Sequence, residues 1–177
     1  YSLRPQCLDE IICDKKVIST LREFLHGDEM QLLIYGSTGS GKSMILEILM
    51  KEYESKFHFI KGNEISSSRM EEIKKGLCKP YNVNDYFKGL VYLNKTPVIL
   101  YDNIENSCIV KTFYKKPFCV KFIATSSLCE FRSQKANIKK HLFVERPNTE
   151  ELIKYVNLEP DCKNLEMAKI LVENNYN

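Results

Sequence analysis

The chain has 177 residues, 44% of them hydrophobic, enough for one domain with a full core. It holds no apolar run of about 18 residues, so no helix is expected to cross a membrane. A net charge of +3 is too weak by itself to argue for nucleic acid as a partner.

Seven cysteines (Cys7, Cys13, Cys78, Cys108, Cys119, Cys129 and Cys162) lie scattered, and none forms a C-x-x-C pair. That pattern argues against a zinc site and for reduced thiols in an intracellular protein. The chain opens on Tyr1 without a basic, apolar, small-residue signal pattern, and is read as a trimmed fragment.

Leu3-Arg4-Pro5 begins an irregular lead. Residues 16–26 then predict a helix, with Val17, Ile18, Leu21, Phe24 and Leu25 on one face and Gly27 as its stop. Residues 31–35 predict a buried strand. A helix follows over 44–53, and a short second strand over 57–60. Ser66, Ser67 and Ser68 offer caps for a helix over 69–77. A further helix is expected over 84–93. Residues 98–102 read as a buried strand ending in an acid, and 106–114 as a weak helix stopped before Pro117. Strands are expected over 119–124 and 142–144. Asn148 with Glu151 makes a capping box for another helix, and 164–174 is amphipathic. Strands alternating with helices predict an α/β fold, with a parallel five-stranded sheet covered on both faces.

Between the first strand and its helix stands Gly36-Ser37-Thr38-Gly39-Ser40-Gly41-Lys42-Ser43. This is the phosphate-binding loop pattern G-x-x-x-x-G-K-S, in its proper strand-to-helix context. Glycines let successive backbone N–H groups turn inward and cradle a polyphosphate. Lys42 brings a cation to the β- and γ-phosphates, and Ser43 a hydroxyl to Mg²⁺. The helix opening at Met44 aims its positive end at the same ligand. ATP or ADP with Mg²⁺ is therefore the expected cofactor.

Such a loop needs an acidic partner. Asp102, at the carboxyl end of a strand, can hold Mg²⁺ opposite Ser43. The next residue is Asn103, whose amide can orient a water but cannot take its proton. Glu105 is a candidate substitute base, weighed against a solvated loop acid, which is the stronger expectation. Thr125, Ser126 and Ser127 end the following strand, where a polar side chain can sense the γ-phosphate; a plain strand-end turn is the alternative.

These pieces together resemble an AAA+ ATPase, and within that class the clamp-loader small subunits of the replication factor C type. Arg4-Pro5 followed by Leu8-Asp9-Glu10-Ile11-Ile12 looks like that family's lead-in. Residues 98–103 fall at its Walker B strand and 122–127 at its sensor-1 strand. Thr149-Glu150-Glu151-Leu152 looks like the start of its lid, which divides the chain into a core over 1–147 and a lid from 148 to 177.

The resemblance implies a ring of AAA+ subunits that opens a sliding clamp and loads it on primer–template DNA, at a nuclear or cytoplasmic site of replication. It implies adenine contacts from the region of Arg4 and Ile12, and a catalytic set of Lys42, Asp102, Asn103 and Ser127. The sequence departs from the family in four places. Cys13-Asp14 replaces Gly-Gln, Asn103 replaces the Walker B glutamate, and Ser127 stands for the sensor-1 asparagine. Asn137-Ile138-Lys139-Lys140 stands where the Ser-Arg-Cys arginine finger is expected. These departures keep open a nucleotide-binding scaffold subunit that hydrolyses weakly. Another AAA+ replication factor, an origin-binding protein or helicase loader, is a further alternative. Lysines 111, 115, 116, 121, 135, 139 and 140 with Arg132 are candidate DNA contacts, against a reading as solvated faces.

Overall fold

The computed structural model describes residues 4–64, 66, 68, 95–106, 120–127, 138 and 140–152. Among these, five strands form one all-parallel sheet: β1 (Gln31–Tyr35), β2 (Phe57–Lys61), β3 (Thr96–Tyr101), β4 (Lys121–Ser126) and β5 (Lys140–Phe143). The strand order is β2-β3-β4-β1-β5. Helix α1 (Lys15–His26) precedes β1, and α2 (Lys42–Glu52) follows it.

Strict alternation along the strands builds two cores. Leu32, Ile34, Val98, Leu100 and Ile123 join the buried faces of α1 and α2 in one cluster. Leu33, Ile99, Tyr101, Phe122 and Ala124 join Ile104 and Ile138 in another. Leu32, Leu33 and Ile34 are each 0% exposed, so β1 reads as an uninterrupted apolar run because both its faces are covered. Each such side chain contributes about 1.5–3 kcal/mol by leaving water.

Helix α1 buries the five residues its spacing predicts. Asp14 caps it, its side chain accepting from the Lys16 N–H at 2.9 Å, and Gly27 closes it by donating to the Glu23 carbonyl at 2.8 Å. The lead packs on α2. Leu8 is fully buried and its N–H donates to Glu52 at 2.9 Å. Arg4 pairs with Glu47, and Arg22 bridges Asp9 and Glu52.

The strand bounds differ from expectation for physical reasons. Strand β3 starts two residues early, at Thr96. At Pro97 only β2 is paired, because β4 begins opposite Val98, so a residue without an N–H is tolerated. Strand β4 runs two residues further, through Thr125 and Ser126, since pairing with β1 continues to Tyr35–Ser126. Both polar residues are 0% exposed. The capping box forms as expected, with Glu151 N–H on Asn148 Oδ1 and Asn148 N–H on the Glu151 carboxylate. The helices expected over 69–77, 84–93 and 164–174 lie outside the described residues, as does most of that expected over 106–114.

Lys121 corrects the proposed basic surface. It is buried, and its ammonium donates to the carbonyls of Phe24, Gly27 and Glu29 at 2.6–2.9 Å, closing the end of α1. It also lies over the Phe24 ring, 4.8 Å from the centroid. Burial lowers its pKa, partly opposed by Asp28 and Glu29. Lys140 pairs with Glu29 at 2.7 Å. Lysines 111, 115, 116, 135 and 139 and Arg132 lie outside the described residues.

Lys121→Met should leave those three carbonyls, the Phe24 one buried, short of a donor and lower the unfolding free energy by about 1–3 kcal/mol. Lys140→Met, which breaks a partly exposed pair, should cost about 1 kcal/mol or less. Urea midpoints of the two variants check the contrast; equal losses would deny Lys121 its capping role.

Candidate functional site: the phosphate loop and the ends of strands β3 and β4

Strand β1 ends at Tyr35, and the chain turns through Gly36–Gly41 into α2. Gly39 and Gly41 have φ of 80° and 88°, a region L side chains rarely adopt. Gly36 is required for another reason. A Cβ there would sit 2.1 Å from the Val144 carbonyl oxygen, where the chain leaves β5. Ser37, Thr38 and Gly39 are exposed, and Ser40 is buried. The Ser40 N–H closes the turn on the Ser37 carbonyl at 3.2 Å.

Lys42 is buried although it carries a charge. Its ammonium donates to the carbonyls of Gly36 and Ser37 at 2.8 and 2.7 Å and to Ser40 Oγ at 3.3 Å. Burial pushes its pKa below the ordinary lysine value, and the charges of Glu105 and Asp102 act against that. Both acids thus lie within electrostatic reach of the loop lysine. The first amides of α2 have no carbonyl one turn earlier to bond. A buried cation, a tight glycine turn and a helix start suit a polyphosphate. Ser43 is exposed in the first turn and Met44 is half-buried.

The acidic side is built on β3 and β4. Asp102 follows β3, and Asn63 fixes its backbone twice: Asn63 Nδ2 donates to the Asp102 carbonyl at 2.8 Å, and the Asp102 N–H donates to Asn63 Oδ1 at 2.9 Å. The Thr125 hydroxyl donates to the Asp102 carboxylate and accepts the Asn103 N–H at 2.9 Å. Asn103 is exposed and takes φ 51°, a left-handed conformation that asparagine tolerates.

That turn leads into a 3-10 turn over Ile104–Asn106, pinned by Ile104 at 0% exposure. Glu105 is half-buried there, not the solvated loop acid expected. One carboxylate oxygen, Oε1, accepts both the Ser127 N–H, at 2.8 Å, and the Ser127 hydroxyl. The other, Oε2, is buried and has no hydrogen-bond partner among the described residues. Burial raises the Glu105 pKa, but the Ser127 bonds, its own backbone N–H and the Ser126 side chain together outweigh it, and the carboxyl stays below its usual range.

Strand β4 lies between β1 and β3, so its end joins the two halves. The Gly36 N–H donates to the Ser126 carbonyl at 3.2 Å, while Thr125 and Ser127 hold Asp102 and Glu105. Asp102, Asn103 and Ser127 thus lie just past the ends of β3 and β4, with Lys42 in electrostatic reach of Asp102, while Ser43 is exposed in the first turn of α2. Arg4 instead engages Glu47 on α2, and Ile12 is half-buried in the lead. Cys13, next to it, packs on the first core; burial, with Asp14 nearby, pushes its thiol up to about 11. Sequence reasoning missed the Asn63 clamp and the division of labour between Thr125 and Ser127. Their two-residue spacing at a strand end was the available signal. Among the described residues no three His, Cys, Asp or Glu side chains gather as a metal site. A cation held by one hydroxyl and one carboxylate would need phosphate oxygens or water to complete its shell.

Lys42→Ala should weaken ATP binding by a few kcal/mol or less, read by calorimetric titration; unchanged affinity would remove the loop from the site. Thr125→Val deletes a donor to Asp102 worth about 1 kcal/mol. It should weaken Mg²⁺-dependent ATP binding roughly fivefold and leave Mg²⁺-free binding alone, as a titration of affinity against Mg²⁺ would report.

Residues 32–115 match the family profile described as AAA, ATPase family associated with various cellular activities. Among solved structures, the FIGL-1 AAA domain in complex with ADP is similar over 96% of this chain and 68% of that one, with a TM-score of 0.55 and 15% identity. At that identity the likeness speaks for the fold. No curated protein matches the chain. The AAA profile match over residues 32–115, the parallel sheet and the loop between β1 and α2 fit the α/β P-loop NTPase fold.

Proposed function

We propose that this chain is an ATP-binding subunit of a clamp-loader-like AAA+ ring acting in DNA replication inside the cell. The observation that carries the nucleotide site is the convergence of the Lys42 loop and the clamped Asp102 on the two sides of β4. The finer reading rests on the lead. Arg4-Pro5 and Leu8–Ile12 resemble a clamp-loader entry, and this segment is docked on α2, the helix that starts at the loop. Arg4 and Ile12 are the proposed adenine-side positions.

In this reading the loop amides of Ser37–Met44 and the Lys42 ammonium bind the phosphates. Ser43 and Asp102 would hold Mg²⁺, which supplies charge neutralisation across the β- and γ-phosphates. Thr125 keeps the Asp102 carboxylate turned to one rotamer. Ser127, just after β4, is the proposed sensor of γ-phosphate loss. A sliding clamp and primer–template DNA are the proposed partners, together with neighbouring AAA+ subunits.

A second reading, a scaffold subunit that binds nucleotide and scarcely hydrolyses it, is favoured by Asn103 in place of an acid. ADP release measured with and without clamp and primer–template DNA separates the two. The isolated chain should hydrolyse slowly. A neighbour that donates an arginine finger should raise the rate by about 10³–10⁵-fold. Full activity at every dilution would count against a ring.

A further inference from the structure

We propose that Glu105 is the carboxylate that orients and deprotonates the attacking water, in place of the residue directly after Asp102. The inference rests on the reading above that the chain binds and hydrolyses ATP. It begins with an asymmetry. Oε1 of Glu105 is held by two donors from Ser127, and Oε2, although the Ser126 side chain acts on the same carboxyl, is buried with no hydrogen-bond partner among the described residues. A buried carboxylate oxygen left unpaired costs stability, so its persistence calls for an explanation. A water brought in beside a phosphate would supply the missing donor.

The placement fits. Ser127 follows Ser126, whose carbonyl accepts the Gly36 N–H at the start of the phosphate loop. Glu105 is thereby tied to the strand that abuts the loop, two residues along from Thr125, which holds Asp102. Asn103 cannot do the same work. Its amide takes no proton, it is exposed, and its left-handed backbone turns the chain into the 3-10 turn that presents Glu105. Buried Ile104 fixes that turn against Tyr101, Phe122 and Ala124.

The step balances. The water oxygen bonds to the γ-phosphorus as the bond to the β–γ bridging oxygen breaks, and that oxygen leaves on ADP with its electron pair. One water proton passes to Oε2 of Glu105 and then to solvent, which restores the carboxylate.

The test is single-turnover ATP hydrolysis by the full-length protein in its assembly, with ATP affinity measured on the same samples. Glu105→Gln keeps the oxygen that Ser127 bonds and removes the base. It should bind ATP within about threefold of wild type and hydrolyse it about 10²–10⁴-fold more slowly. Ser127→Ala should slow hydrolysis less, without loss of affinity. Wild-type hydrolysis by Glu105→Gln would overturn the proposal, as would a larger loss in Asn103→Gly than in Glu105→Gln. A collapse of ATP affinity in Glu105→Gln would make the carboxylate a binding charge and overturn it too. Wild type that binds ATP tightly without hydrolysing it in the assembly would also overturn it, leaving the nucleotide site intact. Absence of ATP binding by wild type would instead overturn the proposed function itself.

Discussion

Strand β4 runs between β1 and β3, and the arrangement at the site depends on that placement. Neighbouring strands lie about 4.8 Å apart, so β1 and β3 end roughly 10 Å from each other. The last residues of β4 fill the gap and touch both sides. Ser126 takes the Gly36 N–H, Thr125 takes Asp102 and the Asn103 N–H, and Ser127 takes Glu105. Small hydroxyl residues suit this place. They fit in a fully buried sheet yet offer donors at its end, which apolar side chains of similar size would not.

Burying Lys42 follows from the same geometry. An ammonium away from water must be paired or solvated by protein oxygens. Here the loop folds its own carbonyls and the Ser40 hydroxyl around the charge, and two carboxylates lie within electrostatic reach. Lys121 solves the same problem differently, by closing the end of α1. One buried lysine sits at the glycine loop and the other finishes a helix. The chemistry of the side chain is common to both; the surroundings decide the role.

The sequence made the sheet legible wherever periodicity was the governing physics. Strand β1, the buried face of α1, the phosphate loop and the Asn148 capping box could all be read from spacing alone. Strand ends were harder, because the pairing partner sets them. Thr125 and Ser126 are polar by type and buried only because β1 continues beside them. Lys121 looked like part of a basic surface, since no local pattern tells a lysine that three carbonyls will surround it. Glu105 was legible as a candidate but not as a buried one. Its burial depends on the left-handed turn at Asn103 and on Ser127, twenty-two residues away in the chain.

The order of the strands also bears on how the protein is made. Strand β1 precedes the other four described strands in the chain, yet it is an inner strand. It waits for β4 to pair Gln31 with Phe122, and for β5 to pair Leu32 with Lys140. Until residue 126 is synthesised this apolar strand has no native partner, and one of its edges stays open until residue 143. Non-local parallel pairing of this kind is slow and leaves the nascent chain prone to aggregation. Gly36 cannot find its close neighbour, the Val144 carbonyl, before then either. The phosphate loop is therefore translated well before the segments that give it its native surroundings.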